Sequence, residues 1–324
     1  MAPTAAQTSP RYDRLHFVLG QSDRGEAAIM KDSLHARGIQ RVADCGASTD
    51  RLFGALDGEI VDLLVYDFDL LRDRFVEAMQ MVRRKSRGQN PFVLILATVA
   101  DSDVETVRSL VKGGVDDLIR RPVTGQRLLE SIGGLMDHRK PFVVANDYVG
   151  PTRRSTRRAE PPDPRSLMRV PNTMRSRAID QVSEEEIRRM VDTAVATLRD
   201  RQLVACGAQV ERLSRQLRDT YRAAADAPER IETVRGLLHK LEVAADDLYG
   251  RCQGTEFERV GELAKMVLAL TQRIDRGSVG RAGTEVQLLG KLTEAIHRAL
   301  AVERDSVAVM RDIASAIARF TRNE

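Results

Sequence analysis

The chain has no tryptophan, and aromatic residues make up only 4% of its 324 positions. That scarcity disfavours an aromatic-rich β core and favours helices packed by Leu, Ile, Val and Ala. Cysteine is equally sparse: Cys45, Cys206 and Cys252 are odd in number and far apart. They form neither a disulfide framework nor a metal-ligand pattern, so a reducing cytoplasm is the expected compartment. No apolar run approaches the roughly 20 residues that a membrane helix needs. The opening "MAPTAAQTSPRYDR" lacks the apolar centre of a signal peptide, and residues 1–14 are expected to be a disordered lead-in. Neither sign of charge dominates, with 51 Lys and Arg against 47 Asp and Glu. The net +4 is local, because residues 151–182 hold eight Arg and three acids, a surplus of five. The rest of the chain sums to −1, so the basicity belongs to one segment and not to a domain face.

What is present is a soluble-protein composition, 42% hydrophobic and 30% charged, in a chain longer than one core usually fills. Residues 15–140 alternate between strand-length apolar runs and helical stretches. The runs are "LHFVLG", "VDLLVYD", "FVLILAT" and "VDDLIRR", with a weaker "QRVADCG"; the helical stretches include "GEAAIMKDSLHARG" and "DVETVRSLVKGG". Such alternation predicts a parallel sheet covered on both faces, an α/β flavodoxin-like (βα)5 domain. Residues 141–182 begin with a short extension and continue as a Pro- and Arg-rich stretch. Proline removes backbone donors and like charges repel, so an extended, solvated linker is expected over 151–182. From 183 to 324 the signals are helical and predict a four-helix bundle-like domain. Its helix starts are read from short polar caps followed by Glu or Gln: Ser183 with Glu186, Asp226 with Glu229, Thr255 with Glu258, and Thr284 with Gln287. The helices are expected to end near 225, 250, 276 and 321. A lost register around "LVACG" predicts a kink or a change of packing partner near Gly207. Outer helices of roughly 55–60 Å would overhang shorter partners, and a second copy of the chain would cover them.

Three features join in one pattern: Asp67 closing the third strand, Thr98 closing the fourth, and "RRPV" (120–123) closing the fifth. With the spacing of "GGVDDLIRRP", residues 15–140 resemble the receiver (CheY-like) domains of bacterial two-component response regulators. The continuation "RKPFVVANDYVGPTRR" resembles an extension found after some receivers. The resemblance implies a phosphoacceptor aspartate at Asp67, beside a magnesium ion held partly by two acids after the first strand. It implies a hydroxyl at Thr98, with Ala97 as the alternative register, and a lysine at the position occupied by Arg121. The acidic-pair positions fall on Gln21 and Ser22, neither of them charged. Arg121 keeps the charge but not the geometry of an ammonium, and Leu118 stands where the family often has an aromatic ring.

A unit charge pair at ~4 Å and an effective dielectric of ~20 is worth roughly 4 kcal/mol before desolvation. Losing two carboxylates from a divalent-ion site therefore removes more than amides or hydroxyls restore, since hard cations want charged oxygens. Asp23 and Asp69 are the remaining acids that could compensate. The expectation is a pseudo-receiver with Asp67 paired to Arg121, with no metal or other cofactor. The alternative is a working phosphoacceptor at Asp67 that uses magnesium. His239, in "LLHKLEVAADD", matches part of the histidine phosphotransfer motif. Leu241 fits, but Glu242 and Val243 replace the motif's lysine and glycine, so a packing or surface histidine is preferred. His297 is weaker still. The pairs Arg153–Arg154 and Arg157–Arg158 lack interleaved aromatics and a following recognition helix, which disfavours nucleic acid as a partner. The sequence thus points to a cytoplasmic signalling protein that is not an enzyme. It would bind other signalling proteins, a sensor kinase among them, and pair with itself through the C-terminal helices.

Overall fold

The computed structural model describes residues 10–153, 167–224, 230–276 and 282–301. By internal packing the chain divides into two units, Met1–Leu198 and Arg199–Glu324.

In the first unit five parallel strands form one sheet in the order β2-β1-β3-β4-β5. They are β1 His16–Gly20, β2 Arg41–Asp44, β3 Leu63–Asp67, β4 Leu94–Val99 and β5 Asp117–Arg120. Between them run α1 Arg24–Ala36, α2 Thr49–Gly58, α3 Phe75–Arg83 and α4 Val104–Gly113, and α5 Gly125–Asp137 follows. This is the doubly wound flavodoxin-like order. Period-two alternation sorts the strand side chains: Phe17, Leu19, Leu63 and Val65 face Met30, Leu34, Leu128 and Ile132 of α1 and α5. Val18, Leu64, Tyr66 and Ile95 face Leu52, Phe75, Met79 and Leu110 of α2, α3 and α4. Burial on both faces is why these strands read as continuous apolar runs. Helix starts follow their caps, with Asp23, Ser48, Asp103 and Thr124 each accepting from a first-turn N–H.

The expected extended linker gives way to folded structure wherever it is described. β6 Phe142–Val144 pairs antiparallel with β7 Val149–Pro151 and with β8 Leu167–Met168. A short helix, α6 Thr173–Ala178, puts Met174 and Ala178 into the core beneath α5. The physical reason lies in arginines that composition alone could not place. Arg83 is wholly buried and bridges to Asp116, which Arg139 also holds. Both guanidinium groups lie 5.1 Å from the ring centroid of Phe142 on β6. Gln80 of α3 donates to the Val149 carbonyl and accepts from its N–H. Arg153 donates to the Val115 carbonyl, so it is no solvated tether. Arg154, Arg157 and Arg158 lie outside the described residues.

Helix α7, Glu184–Ala224, is continuous, and the Ser183 hydroxyl accepts from the Glu186 N–H as its cap pattern predicts. The expected domain start at 183 shifts, because Val191, Val195 and Leu198 pack with Phe92, Phe142, Val149 and Met168 of the first unit. The change of packing partner predicted near Gly207 comes earlier, between Leu198 and Leu203. In the second unit α8 Ile231–Cys252, α9 Glu258–Arg276 and α10 Gly283–Ala301 join the rest of α7 around Val210, Leu217, Leu241, Leu263, Leu289 and Ile296. A Cβ on Gly207 would fall 2.5 Å from Leu300, so the missing side chain is what admits α10. Two caps differ from expectation. Thr255 bonds back to the Cys252 carbonyl, with Phe257 opening α9. Ala282 opens α10, which leaves Thr284 inside its first turn. The Asp226–Glu229 start and the predicted end near 321 lie outside the described residues.

Candidate functional site

The carboxyl ends of the parallel strands bring together residues from β1, α1, β3, β4 and β5. Asp67 ends β3 and its side chain is completely buried. The Ser22 hydroxyl donates to its Oδ2 at 2.5 Å, and an Arg121 guanidinium nitrogen lies 3.1 Å from the same oxygen. The Asp69 N–H donates to Oδ1 at 3.1 Å. Thr98, in register with Asp67 on β4, is buried, and its Oγ1 accepts from Gln21 Nε2 at 3.0 Å. Asp67, Ser22, Arg121, Thr98 and Gln21 therefore share one pocket, while Ala97 faces the opposite core layer.

One member escaped the sequence reading. Glu26, on the first turn of α1, binds Arg121 Nε at 2.8 Å. Arg121 thus spans two carboxylates, and only 20% of its side chain is exposed. Sequence spacing could not have found it, because Ser22 precedes the cap of α1 and the direction of that helix's first turn decides which side chain meets Arg121. The two acids expected as compensators are employed elsewhere. Asp23 turns away to cap α1, accepting from the N–H groups of Gly25 and Glu26. Asp69 pairs with Arg72 at 2.9 Å. Leu118 is partly exposed on β5.

These residues do not fit a divalent cation. The pocket offers one carboxylate already bonded to a guanidinium, plus an amide and a hydroxyl engaged with neighbours. Hard ions require several oxygen ligands with charge to spare. Among the described residues no group of three or more His, Cys, Asp or Glu could hold a metal ion. The arrangement can neutralise Asp67 internally and fasten five elements to one another.

Outside the pocket, His239 is exposed on α8, while Leu241 is buried on another side of the helix. Glu242 accepts from Gln272, and Val243 is exposed. His297 lies 3.6 Å from Glu211. All three cysteines are buried; burial pushes Cys45 and Cys252 up to about 11 and Cys206 to about 12, far from thiolate chemistry. No helix among the described residues is long and apolar enough to cross a membrane.

No family model matches the sequence, and no curated protein matches it. Solved structures do show likeness to part of the chain. A CheY-like response regulator receiver domain protein from Methanospirillum hungatei JF-1 is 18% identical, with 38% of this chain and 94% of that one covered at a TM-score of 0.31. A CheY-like response regulator from Mesorhizobium loti is 22% identical, over 37% and 98%, at 0.31. A putative pilus assembly-related protein from Burkholderia pseudomallei K96243 is 20% identical, over 38% and 90%, at 0.32.

Proposed function

We propose that the chain is a response-regulator-like signalling protein whose receiver-type pocket is closed by its own side chains and which acts by protein–protein contact, not catalysis. The reading rests on one observation: the Asp67 carboxylate has no exposed surface and is already held by Ser22, the Asp69 amide and Arg121. Phosphoryl transfer needs an accessible lone pair in line with the donor, and cations free to take up charge on the transferred group. Here Arg121 is committed to Asp67 and Glu26. On this reading the protein works in the cytoplasm and its helical unit is the output. That unit binds signalling partners or a second copy, through the apolar stripe that the sequence continues past Ala301. A sensor kinase remains a candidate partner through docking alone.

The test is incubation of the full chain with magnesium and a small phosphoryl donor, followed by intact-mass measurement. The expected result is no added phosphoryl mass, in the native chain or in Asp67→Asn. A gain present in the native chain and absent in Asp67→Asn would establish the second reading, a working phosphoacceptor that switches the helical unit. That reading draws on the convergence of Asp67, Thr98 and Arg121 in one pocket.

A further inference from the structure

Strand β3 has an aspartate at each end. Asp67 lies in the pocket, and Asp62, directly before Leu63, is completely buried at the strand's other end. Asp62 Oδ2 accepts from the His16 N–H at 2.9 Å and from Arg177 at 2.7 Å. Arg177 is 1% exposed and also donates to the Ile60 carbonyl. Its other two nitrogens grip both oxygens of Glu184, at 3.1 and 2.7 Å. Glu184 is the first residue of α7, and Arg14 donates to the Val182 carbonyl just before it. Burial alone would push Arg177 down; the charges of Asp62 and Glu184 outweigh burial and hold it above its ordinary pKa.

From these contacts we infer a relay: β3 joins the Asp67 pocket to the start of α7, through Asp62, Arg177 and Glu184. Five residues of strand span roughly 16 Å, all buried, paired with β4 throughout and with β1 over Leu63–Tyr66. A shift in how Asp67 is held must move β3 as a unit, because close-packed interiors transmit displacement and do not absorb it. At the far end Arg177 joins Asp62 to α7 by a two-pronged, charge-assisted grip on Glu184, which Arg14 also approaches at 3.5 Å; such a grip is directional and geometrically specific. The relay deepens the proposed function: it assigns the site a route to the output helix.

The experiment is hydrogen exchange on the full chain, comparing native protein, Arg121→Gln, Arg177→Gln and the double variant. Arg121→Gln loosens the Asp67 end without touching α7. The expected result is at least threefold faster exchange over residues 184–190 in Arg121→Gln, with β4 amides accelerated clearly less. Arg177→Gln should accelerate the same segment, and adding Arg121→Gln to it should do nothing more. Exchange over 184–190 that ignores Arg121→Gln overturns the relay. So does equal acceleration through β4, which would mean general loosening, and so does an additive double variant. Phosphoryl labelling of Asp67 would instead overturn the closed-pocket reading and leave the relay standing.

Discussion

Arg83→Met is the sharpest probe of why residues 142–151 and 167–168 belong to the first unit. Arg83 has no exposed surface, and it donates to the carbonyls of Pro91, Val93 and Gly114 and to Asp116. Burial pushes its pKa down to about 10, with the Asp116 charge working against that shift, so it stays charged near neutrality. Methionine would fill much of the space but return none of the donors. Breaking a buried ion pair costs about 3–5 kcal/mol because it strands a charge. Asp116 is only partly stranded, since Arg139 and the Ile95 N–H remain. Against that relief, three buried carbonyls each lose a donor, at roughly 1–3 kcal/mol per unsatisfied group. The net expectation stays at about 3–5 kcal/mol. Exchange of β4 amides, which report opening of this unit, should then accelerate at least ~100-fold, since each ~1.4 kcal/mol is tenfold. Arg11→Gln, which removes only an exposed pair with Asp13, should leave the same amides unchanged. Acceleration under tenfold in Arg83→Met would refute the reasoning: the arginine network would not be what fixes the appended sheet.

Two further outcomes follow from packing and titration. Gly20→Ala would set a Cβ 2.3 Å from the Tyr66 ring, which is wholly buried and has nowhere to move. A loss of about 1–3 kcal/mol in urea unfolding of the first unit is expected from overpacking, and Gly20→Ala at native stability would show that the ring can yield. The His16 pKa is lowered, first by burial and then by the charges of Arg177 and Arg41. Between that lowered value and the unfolded value of about 6.5 the unfolded chain binds the extra proton. Stability therefore rises with pH through that window and is lost as pH falls through it. Urea midpoints from pH 5 to 7 should show this slope in the native chain and a flatter one in His16→Gln; equal slopes would remove His16 as the cause.

The sheet was legible because its strands are buried on both faces and α1, α2, α4 and α5 carry side-chain caps, two signals that live in short stretches of sequence. The pocket was legible to the extent that each member lies within a residue or two of a strand's carboxyl end, as Asp67, Thr98, Arg121, Gln21 and Ser22 do. Glu26 was not, because its role depends on where a helix points Arg121's second partner. The stretch 151–182 misled for a related reason. Proline and arginine content describes a segment's average solvation, whereas Arg177 is fixed largely by Asp62 and Arg153 by the Val115 carbonyl, both far away in sequence. Composition cannot distinguish a solvated arginine from one that a buried aspartate has claimed. The change of packing partner along α7 was visible as a lost register. Its position was not, because register fades over a turn or more before a new stripe is established.

Asp62, Asp116 and Asp67 share a pattern that bears on the pocket's chemistry. Each lies at or just before one end of a strand, each is nearly or wholly buried, and each is matched by arginine: Arg177, Arg83 with Arg139, and Arg121. The first two lie just before the amino ends of β3 and β5, away from the Asp67 pocket, so a structural role suffices for them, and the same role suffices for Asp67. The two accounts differ in what Asp67→Asn does to stability. A structural carboxylate accepts from Ser22, Asp69 and Arg121 at once, whereas an amide presents two donors where acceptors are required. Arg121 would keep Glu26, which limits the damage, so a loss of about 1–3 kcal/mol is expected. A phosphoacceptor awaiting a metal would instead gain from losing a buried charge, and Asp67→Asn would be neutral or stabilising. Urea unfolding of the two proteins decides between these signs, and a stabilised Asp67→Asn would show that Arg121 does not offset the burial of the Asp67 charge.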